Sequence, residues 1–165
     1  TDSLRVHLLT LSSASLIMTA ASLEATWMQR EKRMDMQRLG LSRTVSLAYA
    51  EAIEAVTAAL KEEGFGILTE VDVKATLKKK IDVDFRPYVI LGACNPALAH
   101  RALSTEPQLG LLLPCNAIVY DNEDGTTTVS IMDPMLMASM SDNAELHAVA
   151  AEANGKLQRV IAKLA

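Results

Sequence analysis

The chain is poor in cysteine, aromatic residues and basic clusters. Two cysteines in 165 residues cannot build the disulfide framework of a small secreted scaffold. Aromatic residues make up 4%, and seven Gly and five Pro are too few for a collagenous or low-complexity chain. Lys plus Arg number 16 against 20 acids, a net charge of -4, and the longest basic run is Lys78-Lys79-Lys80. A mildly acidic chain with so short a basic run does not bind nucleic acid by phosphate neutralisation, and no nucleic-acid partner is expected. There is no glycine-rich phosphate loop, since Gly64-Phe65-Gly66 lacks the third glycine, the lysine and the strand-before-helix setting. No Gly-x-Ser-x-Gly elbow is present either. What the chain does have is apolar substance. Half of its residues are hydrophobic, which supplies a core and excludes a disordered chain. Its length suits one ordinary domain, or one domain with an appendage.

Charge and hydropathy divide the chain near Gly40. Residues 1–40 carry five basic and four acidic residues, while residues 41–165 carry eleven and sixteen. Residues 6–23 hold no formal charge but many hydroxyls. That length nearly spans a bilayer, and the hydroxyls weaken such a reading. A signal-peptide hydrophobic region is a second reading. The leading one is an amphipathic packing or dimerisation helix, with Leu16, Ala20, Leu23, Trp27 and Met34 at helical spacing. A remnant foreign to the domain is the last. The expected organisation is a helical extension over 1–40 and an α+β domain over 41–165. The expected location is cytoplasmic, with membrane anchoring or export possible only through residues 1–40.

Beyond Gly40 the patterns alternate between strand and helix. Residues 44–47 predict a short strand, with Ser46 placed to cap the following helix. Tyr49, Ile53, Val56 and Leu60 recur on one helical face, and Gly64 stops that helix. Residues 65–73 alternate as a strand with one buried side. Residues 74–80 suggest a short helix or turn. Residues 88–93 form the most hydrophobic run and predict a central strand, followed by Asn95-Pro96 as N-cap and first helical residue. Strands beginning near Cys115 and Thr126 flank the turn Asp121-Asn122-Glu123-Asp124-Gly125 as a hairpin. Asp142 and Glu145 have capping-box spacing ahead of a last helix carrying Leu146, Val149, Ala153, Leu157, Val160 and Leu164. Short turns between strand groups predict a mostly antiparallel sheet with helices packed on one face.

Several segments carry a family resemblance. They are Glu62-Glu63-Gly64-Phe65-Gly66, Thr69-Glu70-Val71-Asp72-Val73 and Phe85-Arg86-Pro87-Tyr88, then Leu91-Gly92-Ala93-Cys94-Asn95-Pro96 with Ala99-His100. Leu112-Leu113-Pro114-Cys115-Asn116 and Asp133-Pro134-Met135 follow in order. Over about residues 43–164 the chain resembles the bacterial and archaeal domain of unknown function number 302. The resemblance implies a single copy of a TATA-binding-protein-like α+β fold, assembled as a homodimer. The fold label carries no DNA binding with it, because function belongs to sites.

Chemistry-bearing residues are few. Cys94 precedes the Asn95 cap, where helix N–H groups are expected to depress a thiol pKa. Cys115 opens the next strand, so a strand–helix–strand unit is expected to bring the two within the roughly 4.4–6.8 Å Cα separation of a disulfide. His100 joins them only if it turns back toward the helix start. Such a set can be buried core, a redox pair, an activated nucleophile or a soft-metal site. Its spacing matches no zinc signature, and no metal is expected. Glu70 and Asp72 share a strand face, and Arg86 is placed to pair with one of them or to hold an anion. Asn95 and Asn116, each beside a cysteine, complete the polar candidates. Met132, Met135, Met137 and Met140 read as core filling or a dimer contact, with thioether ligation the minor alternative.

Three functions follow. The first is a homodimeric small-ligand-binding module without catalysis. The second is a thiol-dependent redox or sulfur-handling protein using Cys94 and Cys115. The third is a membrane-tethered interaction domain. The residues name no cofactor and leave open whether the domain catalyses a reaction.

Overall fold

A computed structural model of the chain describes residues 39–164. The readings made for the N-terminal segment, including the stripe ending at Met34, lie outside the described residues.

Strand β1 (Gly40–Val45) leads to helix α1 (Tyr49–Glu62). The helix starts at Ala48, not at a hydroxyl cap, and the Glu51 carboxylate accepts the Ala48 N–H at 3.1 Å. Ser46 does not cap it, because the chain runs two residues further before turning. Alanines and leucine make its inner face, with Ala52, Val56, Ala59 and Leu60 buried. The exit is a Schellman turn: Phe65 N–H donates to Leu60 C=O at 2.9 Å, and Gly64 N–H to Lys61 C=O at 3.0 Å. Gly64 adopts φ +83°, the left-handed conformation that glycine tolerates.

Strand β2 (Gly66–Asp72) is an edge strand and departs from expectation. Its partners jump from Ile67↔Ala93 to Thr69↔Gly92, so Leu68 is bulged out, 64% exposed. The bulge breaks the period of two, and only Ile67 is even half-buried. Helix α2 (Val73–Ile81) follows, wholly helical, with Asp72 as its N-cap.

Strand β3 (Tyr88–Cys94), helix α3 (Pro96–Thr105) and a 3₁₀ turn (Pro107–Leu112) come next. Strands β4 (Cys115–Asp121) and β5 (Thr127–Met132) form the expected hairpin. Helix α4 (Met135–Ala138) is a single turn, and helix α5 (Ala144–Lys163) closes the described chain. Asn143 caps α5, its Oδ1 accepting from Glu145 and Leu146 N–H. The cap therefore lies one residue beyond Asp142, the position that the Asp142–Glu145 spacing singles out.

The sheet is antiparallel throughout, in the order β1-β5-β4-β3-β2. Period two splits its residues between faces. Val89, Leu91 and Ala93, Ala117 and Val119, and Val129 and Ile131 are buried and join α1 and α5 in one core that includes Leu60 and Leu157. The opposite face bears Tyr88 and Tyr120, stacked at 5.4 Å, and a hydroxyl ladder in which Thr44 and Thr128 lie 3.1 Å apart. A second cluster joins α3 to α5 through Leu98, Ala102, Met137, Val149 and Ala153.

Candidate functional site

Strand β3 carries hydrophobic residues to the end of the sheet and stops at Cys94. Asn95 leaves the strand in an extended conformation, and its Oδ1 accepts the Leu98 N–H at 3.3 Å. Pro96 then occupies the first helical position, where its missing N–H is harmless. On the neighbouring strand, the Leu113–Pro114 peptide is cis and Cys115 opens β4. Ala93 and Cys115 are directly opposed in register. Cys94 is thus one residue along from the partner of Cys115, an offset that by strand alternation directs their side chains to opposite faces of the sheet.

Between this end of the sheet and helices α3 and α5 lies a cavity of about 30 Å³. The turn at Phe65, the helical residues Leu98, Ala102 and Ala153, and Met137 of α4 border it, and Cys94, Asn95 and Cys115 form part of its wall. The space accommodates a water-sized or few-atom guest, since about 10–15 Å³ on this measure holds one water. A nucleotide or similar cofactor does not fit.

Both cysteines are free thiols, Cys94 partly exposed and Cys115 buried. Their electrostatics reverse the expected activation. Burial pushes the Cys94 thiol up. Burial, and then the neighbouring Cys94, push Cys115 to about 11. The thiolate loses water to apolar walls, and this outweighs the favourable end of the α3 dipole.

The other sequence candidates stand elsewhere. His100 is exposed on α3 and does not line the cavity. Asn116 is exposed and opposite Gly92. By register Glu70 and Asp72 do share one face of β2, opposite Leu91 and Val89. Asp72 is engaged as the α2 cap, accepting Ala75 N–H at 2.8 Å. The Tyr49 hydroxyl senses both carboxylates, its pKa raised by burial, then by Asp72, then by Glu70. Arg86 joins neither acid. Its Nη1 lies 3.5 Å from the Asp121 carbonyl oxygen instead, because Pro87 precedes the strand whose partner ends at Asp121. The Lys78 run is a solvated face, with Lys78 ion-paired to Asp82 and Asp84. Asp133 is a turn residue that accepts from Met135 N–H and Asn154 Nδ2.

Among the described residues no group of three or more His, Cys, Asp or Glu is arranged to hold a metal ion. No helix among them is long and apolar enough to cross a membrane. A wider groove of about 380 Å³ runs beside the 3₁₀ turn, lined by Leu109, Leu111, Leu112, Met140 and Leu146. Its one carboxylate, Glu106, is already used to accept Gln108 N–H.

The family model for domain of unknown function DUF302 matches residues 41–164. The chain belongs to the DUF302 family. A solved structure from Bacillus stearothermophilus, described as an uncharacterized conserved DUF302 protein, is 33% identical. It superposes with a TM-score of 0.70, covering 77% of this chain and 98% of that one. No curated protein matches the chain. Every residue lining the cavity falls inside the DUF302 match. Sequence reading found Cys94, Asn95 and Cys115 but missed Phe65, Leu98 and Met137 as their neighbours. Only the helical spacing of Leu98 with Ala102, and of Val149 with Ala153, marked an inward face there.

Proposed function

We propose that this DUF302 domain is a non-catalytic, homodimeric binding module whose ligand occupies the cavity between β3, β4, α3 and α5. The observation that carries the reading is one small, half-open apolar pocket whose wall includes Cys94, Asn95 and Cys115. An apolar cavity with a few convergent polar groups is the arrangement of a small-molecule site. Both thiols favour their neutral form, which supports binding over nucleophilic or redox turnover.

Self-association is supported by where apolar side chains remain uncovered. Leu68, Val71, Ile81, Val83 and Phe85, all between β2 and β3 or on β2, are 41–64% exposed. A second copy burying them gains about 25 cal/mol per Å² of apolar surface removed from water. Light scattering is expected to give a dimer that Phe85→Glu disrupts; a monomer at every concentration contradicts this part.

The site is tested by amide NMR under xenon pressure, since xenon enters dry apolar cavities. Shifts are expected at residues 93–99, 115–117 and 149–153. Absence of shifts there, or shifts only beside Leu111 and Met140, contradicts the assignment.

A further inference from the structure

We infer that helix α2 and the loop after it, residues 73–85, form a peripheral contact with an anionic lipid surface. The contact is separate from the cavity. Helix α2 buries none of its nine residues, although Val73, Leu77 and Ile81 recur at i, i+4 and i+8 on one helical face. Val73 and Leu77 are half-buried where the helix meets β2 and β3. Ile81, a turn further on, is 64% exposed, and Val83 and Phe85 beyond it are 44% and 41% exposed. A helix this short does not span a bilayer. An exposed apolar edge flanked by lysines instead lies in the plane of the interface.

Charge names the partner. Residues 73–86 carry five basic and two acidic residues, while the rest of residues 41–165 carries six and fourteen. A basic island on an acidic domain is drawn to an anionic surface, which repels the rest of the body and so orients it. At 3.6 residues per turn, Lys74 and Lys80 flank the Val73, Leu77 and Ile81 stripe on either side. Their long stems let the ammonium groups reach lipid headgroups while apolar neighbours enter the acyl boundary. Among the described residues Lys74, Lys79 and Lys80 make no ion pair, so their charge is available. Lys78 is engaged internally: its Nζ lies 2.8 Å from Asp82 Oδ1 and 3.2 Å from Asp84 Oδ1. Those pairs tie the loop to the end of the helix, keeping Ile81 and Val83 beside the lysines. A nucleic acid would offer phosphates but no apolar phase for Ile81 and Val83. A second copy would cover the same apolar side chains, so it and the bilayer exclude each other.

The test is sedimentation of the whole chain with vesicles of phosphatidylcholine, alone or mixed with phosphatidylserine. The chain is expected to pellet with the mixed vesicles only, and to be released at about 1 M salt, where charges act over about 3 Å. Lys79→Gln with Lys80→Gln is expected to weaken binding about fivefold for each lysine removed, the scale of one lysine at an anionic leaflet. Ile81→Ser with Val83→Ser is expected to weaken it about tenfold, through lost apolar burial. Lys61→Gln removes the same charge from α1, and Leu111→Ser an exposed apolar side chain elsewhere; both are expected to bind as the parent does. Every substituted side chain is exposed, and circular dichroism checks that each variant is folded. Equal binding to phosphatidylcholine alone overturns the inference. So does binding that both double variants leave unchanged, which puts the contact outside residues 73–85. A chain that stays in the supernatant with every vesicle also overturns it; a dimer by light scattering then leaves Ile81, Val83 and Phe85 to the second copy.

Discussion

Asn95 is pressed against the turn at Gly64: a Cβ built on Gly64 would lie 3.1 Å from Asn95 Nδ2. One side chain thus caps α3 through its oxygen and seats the α1–β2 turn beside its nitrogen. The contact holds the Phe65 side of the cavity against its Cys94 side.

Gly64→Ala meets both that contact and φ +83°. Thermal or denaturant unfolding is expected to show a loss of about 1–2 kcal/mol, the penalty of a left-handed residue with a Cβ. Gly66→Ala meets nothing within 4 Å, so a comparable loss there would show that the turn geometry is not the cause.

The core is centred where α1 and α5 meet the sheet. Leu60→Ala removes a fully buried side chain and is expected to cost about 2–5 kcal/mol. Leu111 is 83% exposed, and Leu111→Ala is expected to change stability by no more than about 0.5 kcal/mol. Equal effects in urea titrations would contradict this placement of the core.

Glu63 ties the end of α1 to α5. Its carboxylate accepts from Arg159 Nη2 at 2.7 Å and faces Lys163 Nζ at 3.3 Å. The Arg159 hydrogen bond is the main reason its pKa falls to about 2, from 4.5. A lowered folded-state pKa means stability that is present above pH 4.5 and lost as pH falls toward 2. Melting temperatures of the parent are therefore expected to drop through that window more steeply than those of Glu63→Gln. Parallel curves would contradict the linkage.

The thiols work in the opposite sense. Raised pKa values mean stability that is intact below the ordinary thiol value of 9.0 and declines as pH rises toward about 11. At neutral pH an aromatic disulfide reagent is expected to modify Cys94 slowly, and Cys115 only on unfolding. Rapid modification of both in the folded protein would restore the redox reading.

The sequence shows elements wherever one local rule acts alone. Asn95-Pro96, the hairpin at residues 121–125 and the inward stripe of α5 are legible because a cap, a turn and a helical period each suffice. β2 misleads because the bulge at Leu68 is decided by pairing with β3, not by its own residues. The neighbouring strand positions of Cys94 and Cys115 were legible from strand order, but the protonation of their thiols was not. That depends on walls contributed by Phe65, Leu98 and Met137, which are remote from the cysteines or unmarked in the chain. The contact of Arg86 was not legible either: the β3–β4 register carries it to the Asp121 carbonyl.

The most direct test of the cavity as a ligand site is native mass spectrometry of the freshly purified chain beside Ala153→Leu, which fills the space from α5. The parent is expected to carry a small non-covalent adduct that denaturation removes and Ala153→Leu lacks. The bare mass for the parent, or the same adduct on both proteins, would contradict the account.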